Sequence, residues 1–137
     1  MGKYGTTALE AIALARARGT APDAAWRSVA AEVFAGAPEG MRKVCPRETF
    51  LGLCQAGLVR GISGDDAGNR QLGANRQYAV AAVRLLARTP TLAREKKTEL
   101  WRRVMGSAGA DSGKKHNQQL DVVLTLWNEG LIDTDAL

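Results

Sequence analysis

Near the end of the chain Leu120, Val123, Leu124 and Trp127 stand at i, i+3, i+4 and i+7, the spacing that gathers apolar side chains on one face of an α-helix. The run stops at Gly130, and two aliphatic residues, Leu131 and Ile132, follow it. The same arrangement occurs earlier. Phe50, Leu51, Leu53 and Cys54 form an apolar stripe that opens behind Pro46 and closes at Gly57-Leu58-Val59. Proline at a first helical position loses no hydrogen bond, and glycine beyond the last one takes the positive φ that ends a helix. The aliphatic residues after each glycine are expected to fold back onto the apolar face. No stretch alternates apolar and polar residues long enough to predict a strand.

Leu51, Leu53, Gly57, Leu58 and Val59 align with Leu124, Leu126, Gly130, Leu131 and Ile132 at a constant offset of 73. Two further matches keep the same order. Tyr4, Ala8 and Ile12 align with Tyr78, Ala82 and Leu86 at an offset of 74, and Trp26-Arg27-Ser28-Val29 aligns with Trp101-Arg102-Arg103-Val104 at 75. Three ordered matches predict a duplicated unit. Each unit reads as three helices, near 6–18, 22–34 and 46–56 in the first and 75–88, 92–105 and 117–128 in the second. The expected fold is therefore all-α, with two tandem three-helix units at 4–62 and 75–134, a linker at 63–74, and one compact domain over 1–137.

Composition narrows the function classes. Hydrophobic residues make 45% of the 137 and charged residues 24%, so a packed core is expected rather than disorder. No window approaches the roughly 18 apolar residues of a membrane span, and the N-terminal segment has basic residues after its apolar stretch as well as before it, unlike a signal peptide. Cys45 and Cys54 lie nine apart and the only histidine is His116, which suits neither a redox CxxC pair nor a zinc set. Reduced thiols in a cytoplasm, with no metal and no cofactor, are the expectation.

Charge distribution points to a surface. The net charge is +5, yet residues 70–115 hold eleven basic and three acidic side chains while 116–137 hold no Lys or Arg and four acidic ones. Arg94, Lys96, Lys97, Arg102, Arg103, Lys114 and Lys115 fall on one predicted helix and the loop after it, a layout that can track phosphates. Glu99 stands three and four residues before Arg102 and Arg103, so ordinary surface pairs are expected to engage part of this charge. The leading functional expectation is a non-enzymatic binding module whose 94–115 arc meets nucleic acid or an acidic protein. One alternative is a protein-interaction or regulatory scaffold. The other is a cysteine-dependent enzyme, in which Cys45 at a helix start forms a thiolate-imidazole pair with His116 at the start of the matching helix. Trp26, Trp101 and Trp127 lie on apolar stripes and are expected in the core rather than as base-stacking platforms.

GKYG at Gly2–Gly5, CPRETFLGLCQAGLVRGI at Cys45–Ile62, ELWRRVMG at Glu99–Gly106 and KHNQQLDVVLTLWNEGLI at Lys115–Ile132 resemble a family of small bacterial proteins of unknown function. The resemblance covers nearly the whole chain in order. It implies a bacterial, intracellular, single-domain protein and no particular chemistry. The linker departs from the family pattern, having less lysine than the family leads one to expect.

Overall fold

The structure, a computed structural model, describes residues 2–67, 71–109 and 118–137. The described residues are all-helical. Six helices of ten or more residues, α1 (Lys3–Arg18), α2 (Pro22–Val33), α4 (Val44–Gln55), α5 (Ala74–Arg88), α6 (Lys97–Ser107) and α7 (Gln119–Asn128), are joined by a one-turn helix, α3 (Pro38–Met41), and by tight turns at Gly64–Ala67, Pro90–Arg94 and Thr134–Ala136.

Several boundaries differ from those the pattern predicts. α1 begins at Lys3 rather than 6, although Gly2 and Gly5 are poor helix formers. Tertiary contact outweighs that propensity: Tyr4 stacks on Phe34 at 4.9 Å, and a side chain at Gly5 would collide with Thr125 of α7. α4 begins at Val44, two residues before Pro46, which therefore sits in the first turn, where its missing N–H still breaks no helical bond. The helix expected over 92–105 divides, because buried Leu92 draws the Pro90–Arg94 turn onto the core and Glu95 and Lys96 are extended before α6 starts. The 63–74 segment contains the Gly64–Ala67 turn, and α5 starts at Ala74.

The two Gly-Leu-aliphatic stops behave alike. Gly57 and Gly130 have φ of 74° and 72°. Each donates its N–H three residues back, to Cys54 and Trp127, and the next leucine donates five back, to Leu53 and Leu126, at 2.9–3.1 Å. This double bond closes a helix whose last carbonyls would otherwise lack partners. Beyond the caps the two segments pair with each other: Arg60 N–H donates to Leu131 O at 2.9 Å and Asp133 N–H to Leu58 O at 2.8 Å, around an antiparallel bridge between Val59 and Ile132. Leu58, Val59 and Ile132 are buried there.

Further contacts set helix direction. Lys43 Nζ donates to Gln118 Oε1 at 2.7 Å just before α4 and α7, so these helices start together as well as end together. α5 runs alongside α4 in the same sense, since Glu48 accepts from Gly73 N–H while Arg76 lies against Gly52 and donates to Gln55. α1 follows α7 likewise, with Gly2 beside Asp121 and Gly5 beside Thr125. One core unites both halves, with Ile12, Trp26, Phe50, Leu86, Leu100 and Leu126 all buried. The matched tryptophans do not share surroundings: Trp26 packs on Phe50 of α4, whereas Trp101 meets Tyr78 of α5 edge-on.

Adding a methyl group at the two kinds of glycine is expected to act differently. Gly57→Ala and Gly130→Ala each force an L-residue into left-handed backbone and are expected to lose about 1–2 kcal/mol. Gly52→Ala brings Cβ to 2.8 Å from the Arg76 Cα, backbone that cannot rotate away, and overpacking of this kind costs about 1–3 kcal/mol. Urea unfolding of the three variants checks both values; unchanged midpoints at 57 and 130 would contradict the paired-cap description.

Candidate functional site

The described part of the basic arc is surface, and two carboxylates engage three of its five cations. Arg94, Lys96, Lys97, Arg102 and Arg103 are exposed. Glu99 accepts from Arg102 through both carboxylate oxygens, at 2.7 and 3.0 Å, and from Arg103 at 3.1 Å. Those hydrogen bonds, Arg102 first, hold the Glu99 carboxyl down at about 2. Lys97 pairs with Asp121 in the first turn of α7, tying the start of α6 to the start of α7. Arg94 and Lys96 make no ion pair with a described residue. Lys114 and Lys115 lie outside the described residues, so the arc is seen only from 94 to 103.

The arc adjoins the end of the molecule where α4, α5 and α7 begin. The N-cap residues Lys43, Gly73 and Gln118 make no side-chain capping bond of their own. Buried Gln119 donates to Asn75 at 3.1 Å, linking the first turns of α7 and α5, and Gln118 holds a left-handed φ of 63°. Arg47, one turn into α4, has its Nε buried without a hydrogen-bond partner. Helix starts carry partial positive charge, so Lys43, Arg47 and Lys97 add to a field of the same sign.

Cys45 belongs to this end and is half-buried, while its proposed partner His116 lies outside the described residues. Cys54 is fully buried, and burial pushes its thiol up to about 12. Among the described residues no three His, Cys, Asp or Glu side chains gather to hold a metal ion, and no helix is long and apolar enough to cross a membrane. Trp26 and Trp101 are buried, as their stripes predict, while Trp127 is half-buried and packs against the edge of the core.

A second feature is not apparent from the sequence. A cleft of about 750 Å³ opens between α5, the ends of α4 and α6, and the C-terminal segment. Leu58, Leu72, Val80 and Leu137 provide its aliphatic lining, and Arg76 and Arg84 of α5 its charge. Arg76, Val80 and Arg84 form an i, i+4, i+8 row that is visible in the sequence, but only packing supplies the opposite walls.

Two measurements follow from these environments. Native protein is expected to release one thiol equivalent to a thiol-reactive dye, from Cys45, and two after denaturation; rapid labelling of Cys54 in the folded state would contradict its burial. Glu99, with its folded value below the ordinary carboxylate range, stabilises the fold above that range and loses the contribution as pH falls from about 4.5 toward 2. Comparing wild type with Glu99→Gln, the stability difference is expected to shrink across that acid window and to be flat at neutral pH.

No curated protein and no solved structure matches the chain. A family model does match, over residues 1–133, and on that match the chain belongs to a family of unknown function (DUF6979).

Proposed function

We propose that this protein is a non-enzymatic binding module for a polyanion, nucleic acid first, which it holds by the phosphate backbone. The observation that carries the reading is the exposed surface from Arg94 to Arg103: Arg94 and Lys96 have no ion-pair partner among the described residues, and Arg102 and Arg103 share a single carboxylate. That leaves positive charge directed at solvent, beside helix starts that favour anions. The burial of Trp26 and Trp101 supports backbone contact over base stacking. Lys114 and Lys115, which complete the 94–115 basic run in the sequence, lie outside the described residues.

The scaffold is read as two tandem three-helix units. Support comes from the matched caps at Gly57 and Gly130 and from the reciprocal bonds between the segments after them; the unlike surroundings of Trp26 and Trp101 mean that any duplicated halves have diverged. Two free thiols favour a reducing compartment, and the family resemblance favours a bacterial cytoplasm.

The test is salt-dependent binding to duplex and single-stranded oligonucleotides. With about four phosphate contacts, log K against log salt is expected to fall with a slope of roughly −3 to −4 on duplex DNA. Reversing Arg94 and Lys96 together is expected to reduce that slope by about two units while leaving the melting transition in place. Absence of binding at roughly 50 mM salt, where phosphate contacts are strong, would remove the nucleic-acid reading.

A further inference from the structure

None of the described residues assigned to the polyanion surface lines the cleft beside α5, and its chemistry differs. Its volume, about 750 Å³, is that of a ligand site rather than a packing defect. Most of its exposed lining is polar, with an aliphatic part from Leu72, Val80 and Leu137, and no aromatic ring of the described residues lines it. Two guanidinium groups stand along one wall. Arg84 is exposed and has no ion pair with a described residue, and Arg76 spends one Nη on Gln55 at 2.8 Å, leaving its other donors open. A phosphate backbone has no apolar group to set against the aliphatic side chains. A polypeptide carrying both carboxylates and an aliphatic side chain does.

The spacing narrows the ligand further. Arg76 and Arg84 are eight residues apart on a helix that rises 1.5 Å per residue, so their origins are separated by about 12 Å along the cleft, with Val80 midway. An extended chain advances about 3.3 Å per residue and returns to the same face every second residue, so about four residues cover that distance. Positions one, three and five of such a segment face the same way. We infer that the cleft is a docking site for an extended acidic segment of another protein, of the pattern acidic-x-aliphatic-x-acidic, whose carboxylates meet Arg76 and Arg84 and whose central aliphatic side chain packs against Val80 and Leu137. Arginine suits this role because its planar fork meets a carboxylate with two parallel hydrogen bonds. The assignment goes beyond the polyanion reading and does not depend on it.

The test uses a fluorescein-labelled peptide, Ser-Gly-Glu-Thr-Leu-Thr-Glu-Gly-Ser, titrated with the full chain by fluorescence anisotropy. Saturable binding is expected, roughly tenfold weaker or worse for Arg76→Glu and for Arg84→Glu, and unaffected by Arg94→Glu with Lys96→Glu. Replacing the central leucine by serine, or moving the glutamates to adjoin it, is expected to weaken binding as well. Amide chemical-shift changes in the wild-type protein are expected at Gly73, Ala81 and Ser107, a readout that requires no variant to fold. No saturable binding, equal sensitivity to the 94 and 96 reversals, or displacement of the peptide from these amides by a duplex oligonucleotide would each overturn the assignment. The first would leave the nucleic-acid measurement untouched, so the two proposals fail separately.

Discussion

The fold turns on the junction between α4 and α7. Each helix ends in a glycine cap, and the segments after the caps exchange the Arg60–Leu131 and Leu58–Asp133 backbone bonds while burying Leu58, Val59 and Ile132. Backbone polar groups removed from water must find partners, and here each helix exit supplies the partners the other lacks. At the opposite end the same two helices are joined through Lys43 and Gln118. α4 and α7 are thus fastened at both ends, and α5 and α1 take their positions alongside them.

That central pair governs the rest by proximity. Gly52 and Gly5 remove the side chain where α5 crosses α4 and where α1 crosses α7, so backbone approaches side chain with nothing between. The consequence is electrostatic as well as steric. Helices running in the same sense align their dipoles, and their starts gather at one end with Lys43, Lys97 and Arg47. Burial of a common core outweighs that like-charge arrangement. Asp121 relieves part of it by pairing with Lys97, and its carboxylate, after burial, also raises the Tyr4 phenol above its ordinary value.

Two surfaces of different character result. The flank of α6 presents charge on a helix whose apolar residues, Leu100, Trp101, Val104 and Met105, are all committed to the core. The cleft instead combines guanidinium groups with Leu72, Val80 and Leu137, aliphatic side chains that the core leaves partly open. Net charge alone would treat both as one basic region, whereas their apolar content sets them apart.

Much of the helical framework was legible in the sequence because it depends on neighbours three to five residues away. The stripe at Leu120, Val123, Leu124 and Trp127, the stops at Gly57 and Gly130, and the burial of Trp26 and Trp101 all follow from local periodicity and backbone freedom. The pairing of Glu99 with Arg102 and Arg103 was legible for the same reason. Other features were not, because they join residues far apart in the chain. The early start of α1 needs Phe34 and Thr125, and the break before α6 needs the burial of Leu92. Lys97 finds its carboxylate 24 residues away, and the cleft exists only where α4, α5, α6 and the C-terminal segment converge. Local chemistry determined which residues are helical and where helices stop; tertiary packing alone decided which charges remain free and which apolar side chains are left without cover, since both depend on what lies opposite.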